Sequence, residues 1–393
     1  LASTSLIPVP SGCVGDILGL SCDDRGCAAC GLAWHACQSG GTNHGNCLQF
    51  RHLASINVVS IHTASEEVES PLAKFILANA HRDRLFNNRV ARNVLWFVDY
   101  VVVASVMGFF RLLPVTWASA LGARLGRVFG RIFTRRNQHV RANLTVSLPE
   151  KSPAEIDELA GEVWANAGAV LGEYPNLAKL CNPKRDTLEI EVLEHIPAYS
   201  DPNQPAVFVS AHLANWEMMA CAIARLGVRP CAMYAPLTNP WLDRTMLHYR
   251  GMLGAELVSR TEGLRAFVDA LKSGRSPIML TDRRVDGGKP IPFFDEEKDS
   301  SLLPARLALR FGVPLVPVQA ERLPGARFRV RFHPPLVPSD PTMDRDNQTV
   351  DLARQINEKF EQWITAKPGD WLCTSKIWPS SILRAKTDIY EDA

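Results

Sequence analysis

The stretch Ala206-Val-Phe-Val-Ser-Ala-His-Leu-Ala-Asn-Trp-Glu-Met-Met219 runs from apolar, strand-favouring residues straight into a histidine, an asparagine and a glutamate. Preceded by Pro205, the segment Ala206 to Ser210 reads as a buried strand. Two residues five apart on one continuous helix are rotated by roughly 140°, so His212 and Glu217 meet only if the helix begins between them. Asn215 is the expected N-cap and Gly227 the expected stop. His212 then occupies the carboxyl end of a strand, where open α/β sheets bind ligands, and Glu217 occupies a first helical turn that favours a carboxylate. A carboxylate in that place fixes the tautomer of an imidazole and stabilises the imidazolium formed when it takes a proton. Spacing alone is not specific, because His62 and Glu67 repeat it in a polar stretch. Context separates the two pairs.

Similar short apolar runs recur at about 188–193, 231–234, 278–280, 315–320 and 328–332, with helical patterns at 241–251, 263–272 and 304–311 between several of them. The expected fold class is therefore α/β: a mixed, largely parallel sheet flanked by helices. A further pattern over 152–172, opening with Pro153, reads as a surface helix. With 393 residues and 46% hydrophobic content the chain has ample material for a packed core, which excludes a disordered or fibrous protein.

Upstream, Val94 to Leu113 is twenty residues long with only Asp99 and Arg111 charged, and Pro114 closes it. As a helix it just spans a bilayer core, although Asp99 would cost about 2.5–3.5 kcal/mol at the membrane centre. The reading is an N-terminal membrane-associated helix, spanning or lying in the surface. The net charge of +2 hides a local excess: Arg124, Arg127, Arg131, Arg135, Arg136 and Arg141 form a basic patch suited to phosphate or anionic lipid. Gly122, Gly126 and Gly130 recur among them and make a smooth strip for close helix or membrane-surface approach. The expected organisation is a poorly structured or appended extension over 1–85, a membrane-anchoring and basic helical segment over 86–145, and a catalytic domain over 146–385.

Six of ten cysteines lie between Cys13 and Cys47, but without regularly spaced Cys-x2-Cys knuckles, so no metal site is expected. Cys181, Cys221, Cys231 and Cys373 sit in apolar contexts as reduced core residues. Neither Gly-x-Ser-x-Gly nor His-Glu-x-x-His occurs, which leaves direct attack by a substrate hydroxyl as the chemistry best suited to His212.

At these residues the chain resembles the lipid A biosynthesis acyltransferases, the late lauroyl or myristoyl transferases within the His-x4-Asp/Glu glycerolipid acyltransferases. His212-Leu-Ala-Asn-Trp-Glu217 matches the His-x-x-Asn-Trp-Glu form. In order around it stand Arg141-Ala-Asn-Leu144, Tyr234-Ala-Pro-Leu-Thr-Asn-Pro240 with Arg250, Asp282-Arg-Arg-Val-Asp-Gly-Gly288, Pro292-Phe-Phe294, Pro304-Ala-Arg-Leu-Ala-Leu-Arg310 and Pro368-Gly-Asp-Trp371. The resemblance covers about residues 92–380. It implies a glycerolipid acyltransferase-like domain on the cytoplasmic face of the bacterial inner membrane, moving an acyl chain from acyl carrier protein or coenzyme A onto a hydroxyl of a lipid acceptor of the lipid A precursor type. No cofactor beyond the acyl donor and no nucleic-acid partner is expected. His212 is implied as general base with Glu217 as its partner, and Asn215, Arg250, Asp282, Arg283 and Gly288 as substrate-binding residues. Two segments depart from the family: Asp295-Glu-Glu297 follows Phe-Phe where glycine is usual, and the Trp-x-His/Arg-Arg-Trp ending reads Trp371-Leu-Cys-Thr-Ser-Lys-Ile-Trp378. Open alternatives are an acyltransferase for another glycolipid or a lysophospholipid, and an inactive membrane-anchored lipid-binding protein.

Overall fold

The computed structural model describes residues 88–387. The cysteine-rich stretch, the His62 and Glu67 pair and the expected extension over 1–85 lie outside the described residues. A helical region comes first, with α1 at Arg89–Leu112, α2 at Val115–Ile132, α3 at Thr134–Ser147, α4 at Pro153–Glu173 and a single turn, α5, at Leu177–Leu180. Helix α1 starts five residues before the apolar run because the Asn88 side chain accepts from the backbone N–H groups of Val90 and Ala91. It is long and apolar enough to cross a membrane, and few of its residues are buried. Asp99 is one of those few, so its carboxylate is packed against protein rather than facing outward with Val98, Val101 and Val102.

Helix α4 opens with a reciprocal capping box between Ser152 and Glu155. The surface-helix reading of this segment is corrected: α4 is inlaid between α2 and the sheet domain, with Ile156, Val163, Asn166, Val170 and Glu173 all buried. The glycine strip explains why. A Cβ on Gly122 or Gly126 would collide with the carbonyl oxygens of Gly168 and Trp164, so the strip serves backbone-to-backbone packing of α2 on α4.

The main sheet contains β1 (Leu188–Val192), β2 (Val207–Ser210), β3 (Pro230–Tyr234), β4 (Glu256–Ser259), β5 (Ser276–Leu280), β8 (Leu315–Leu323) and β9 (Arg327–Phe332), in the order β1-β9-β8-β2-β5-β3-β4. Every pairing is parallel except β8 with β9, which gives the mixed, largely parallel sheet expected. β6 (Lys289–Phe293) and β7 (Glu296–Ser300) form a separate antiparallel hairpin. The remaining helices are α6 (Glu217–Arg225), α7 (Pro240–Gly251), α8 (Gly263–Lys272), α9 (Leu303–Phe311), α10 (Arg345–Ala366) and α11 (Ser380–Lys386).

All four residues of β2 are buried because it lies between β5 and β8 with cover on both faces. Alternation sends Val207 and Val209 into one core with Phe267, Phe360, Trp371 and Trp378, and Phe208 into the other with Ile278, Val316, Val330 and Met218.

Candidate active site

β2 and β5 pair in register, Ser210 opposite Leu280, and the Thr281 N–H donates to the Ser210 carbonyl at 3.0 Å. Two residues beyond each of those positions stand His212 and Asp282. Side chains alternate with period two, so both emerge at the carboxyl edge on the same side. The imidazole Nδ1 and Asp282 Oδ1 are 2.7 Å apart, and the Trp371 indole N–H donates to Asp282 Oδ2 at 2.9 Å. Asp282 is fully buried, and burial by itself would push its carboxyl up. The His212 imidazole, the Arg283 guanidinium and the Trp371 N–H outweigh that and hold it well below the usual carboxylate range. An ionised Asp282 accepts from Nδ1–H, which leaves Nε2 facing the cavity side as the nitrogen free to take a proton.

The expected contact between His212 and Glu217 is replaced by this arrangement. Glu217 does open helix α6, with its N–H donating to Asn215 Oδ1 at 3.3 Å. Its carboxylate, however, turns to Arg250, accepting from Nε at 3.0 Å and Nη2 at 2.8 Å, and the Tyr174 hydroxyl lies 3.4 Å away. A guanidinium with two N–H groups aimed at it satisfies the buried Glu217 carboxylate, which therefore does not turn to the imidazole. Tyr174 stays a neutral phenol, because burial and then the Glu217 charge push it up.

The loop between β2 and α6 is clamped from three sides. The Leu372 N–H donates to the His212 carbonyl and the Ala214 N–H to the Asp370 carbonyl, each at 2.9 Å. Ala214 sits at φ 48°, a left-handed conformation costly for a residue with a Cβ. Asn166 Nδ2 holds it by donating to the Ala214 carbonyl at 3.1 Å and the Asp370 carbonyl at 3.0 Å. Asn215, fully buried, donates to Glu173 Oε2 at 2.9 Å, and Glu173 also receives the Ser119 hydroxyl at 2.6 Å and the Arg322 guanidinium. Asn215 is thus a loop anchor, not a cavity wall.

His212, Glu217, Arg250 and Arg283 share one cavity of about 680 Å³, whose other walls are mostly apolar, including Met219, Met233, Leu253, Leu257, Phe267 and Ile278. Arg283 Nε is buried with no hydrogen-bond partner among the described residues, a donor available to a bound anion. Gly288 does not itself line this cavity. Its N–H donates to the Val285 carbonyl at 2.9 Å, and a Cβ there would press on the carbonyls of Ser300 and Val285. It shapes the turn into β6.

Sequence reasoning missed Asp282 as the histidine's partner, along with Asn166, Glu173, Arg322 and the buried Lys298. Lys298 Nζ donates to the Asp282 carbonyl at 3.0 Å and sits 4.0 Å from the Phe293 ring centroid. Burial pushes it down to about 8, against the pull of Asp282 and Glu361. The available signal for the pairing was the acidic residue two places after a second buried apolar run.

Residues 86–379 match the family model of the bacterial lipid A biosynthesis acyltransferases. The chain is 25% identical over 299 residues to a lipid A biosynthesis myristoyltransferase of Escherichia coli, covering 73% of this chain and 88% of the relative. It is 24% identical over 199 residues to a phosphatidylinositol mannoside acyltransferase of Mycolicibacterium smegmatis, covering 49% and 63% of the two chains. Among solved structures, a 1-acyl-sn-glycerophosphate acyltransferase of Thermotoga maritima aligns with a TM-score of 0.29 at 15% identity, over 61% of this chain and 98% of that one.

Proposed function

Because the chain belongs to the bacterial lipid A biosynthesis acyltransferase family, we propose that it moves a fatty acyl chain from an acyl carrier protein or coenzyme A thioester to a hydroxyl of a lipid A precursor, with His212 as general base. The observation that carries this reading is the hydrogen-bonded pair of His212 and Asp282 at the wall of a largely apolar cavity. In the proposed step Nε2 takes the proton of the acceptor hydroxyl as its oxygen attacks the thioester carbonyl. The tetrahedral intermediate collapses by breaking the carbon–sulfur bond, and the departing thiolate recovers the proton from the imidazolium. Asp282 stabilises the imidazolium between those events. Glu217 acts at one remove, holding the Arg250 guanidinium at the cavity, where Arg250 and Arg283 meet phosphate groups of donor or acceptor. The apolar walls receive the acyl chain. Helix α1 anchors the catalytic domain at the cytoplasmic face of the inner membrane.

The test is transfer of labelled acyl groups by purified protein, offered acyl carrier protein and coenzyme A thioesters separately with a lipid A precursor. Wild-type product and its loss in His212→Ala support the reading; undiminished transfer by the variant rejects the base. A second acceptor class is supported by the similarity to phosphatidylinositol mannoside acyltransferases. Transfer to a mannosylated glycolipid in preference to the lipid A precursor would move the assignment there.

A further inference from the structure

A second cavity, of about 590 Å³, lies among α2, α3 and α4 and shares no lining residue with the one at His212. We propose that it binds the phosphodiester headgroup of an anionic membrane phospholipid. Three guanidiniums line it, those of Arg127, Arg131 and Arg141, against the carboxylates of Asp157 and Glu158. Arg141 Nε is engaged by Asp157 at 2.6 Å, whereas Arg127 and Arg131 form no ion pair among the described residues. The lining therefore keeps one net positive charge, with two guanidinium forks available to a phosphate.

The wall between them is fixed. Trp164 donates its indole N–H to Asn137 Oδ1 at 3.1 Å, and its ring stacks on Phe133 at 6.1 Å. Packing of Gly130 directly on the Trp164 ring locks the side chain from the other side.

The same helix says why the phosphate belongs to a lipid. With 3.6 residues per turn, α2 has three faces. Gly122, Gly126 and Gly130 are buried on α4; Arg124, Arg127 and Arg131 share a second face; Leu125, Val128, Phe129 and Ile132 share the third and are 40–62% exposed. An exposed apolar stripe beside an arginine stripe is the pattern of a helix lying in a membrane interface, where phosphates sit at the level of the guanidiniums. Helix α2 follows α1 after only Leu113 and Pro114, so a chain anchored by α1 presents α2 at that level. The proposal does not depend on the acyl-transfer reading.

The test is thermal unfolding of the full chain in a non-ionic detergent with dihexanoyl phosphatidylglycerol, dihexanoyl phosphatidylethanolamine or inorganic phosphate at equal concentration. Phosphatidylglycerol is expected to raise the midpoint of wild type and of Arg124→Gln, whose side chain is outside the cavity, and to lose that shift in Arg127→Gln/Arg131→Gln. An unchanged shift in the double variant overturns the site. Equal shifts with inorganic phosphate overturn the lipid, and equal shifts with phosphatidylethanolamine overturn the anionic headgroup. Should the double variant fail to fold, Arg131→Gln alone serves, and a full phosphatidylglycerol shift in it overturns the proposal equally.

Discussion

His212 and Asp282 lie 70 residues apart in the chain and 2.7 Å apart in space because parallel pairing of Ser210 with Leu280 brings two strand ends level. This makes the imidazole's orientation a property of the sheet register, not of the local loop. Asp282→Asn keeps the shape of the side chain but can no longer hold the imidazolium. We expect it to lower kcat by about 10²–10⁴-fold with little change in KM. Glu217→Gln is expected to cost far less in kcat and to raise KM, since it loosens Arg250. Steady-state kinetics of the two variants check this; a larger kcat loss in Glu217→Gln would restore the sequence-local pair.

The contrast shows what the sequence carries. Strand β2 and helices α7 to α9 are legible because their apolar spacing is local. The hairpin β6–β7 is not: Lys289-Pro-Ile-Pro-Phe contains two prolines and Glu296-Glu-Lys-Asp-Ser is wholly polar, so neither has a strand's composition. Helix α10 escapes the same reading because its buried Leu352, Ile356 and Phe360 are spaced among charges rather than gathered in a run. His212, the proposed general base, is legible as a histidine after a buried strand. Its partner is not, because a spacing of five residues is read along the chain and a sheet register is not.

Lys298 should give stability a distinctive alkaline slope. Its folded value, about 8, lies below the ordinary 10.5, so between those values the unfolded chain binds the extra proton. Stability therefore rises as pH climbs from about 8 to 10.5 and is flat below 8 as far as this group is concerned, a gain on the order of 3 kcal/mol. Urea unfolding of wild type and Lys298→Met at pH 7.5 and 10 measures it. A slope that persists in the variant rules out Lys298 as its source.

The turn between β6 and β7 places Phe294 at φ 50° and Asp295 at φ 44°, a two-residue connection that favours Asn-Gly or Asp-Gly. Asp295 therefore stands at a position whose backbone conformation favours glycine. Phe294 is held in place by its N–H donating to Glu361 Oε1 at 2.9 Å and by its ring packing near Trp371 and Trp378. Asp295→Gly relieves left-handed strain at the cost of a more flexible unfolded chain. The net expected gain is up to about 1 kcal/mol, read as a higher unfolding midpoint.

The α2–α4 seam separates glycines that are needed from glycines that are not. A Cβ at Gly126 meets the Trp164 carbonyl oxygen and the Gly168 backbone, neither of which can yield without moving a helix axis. Gly126→Ala is therefore expected to destabilise by about 1–3 kcal/mol. On the partner helix, Gly161 has open space where its Cβ would go, so Gly161→Ala should be neutral or stabilise by up to about 1 kcal/mol through helix propensity. Because α4 also carries Asn166 and Glu173, which clamp the loop of His212, the seam's effect should extend to the site. Gly126→Ala is expected to lower kcat at temperatures where the protein is still folded, while Gly161→Ala leaves it unchanged. Equal midpoints and equal rates for the two variants would show that the helices separate freely and that the clamp does not depend on their contact.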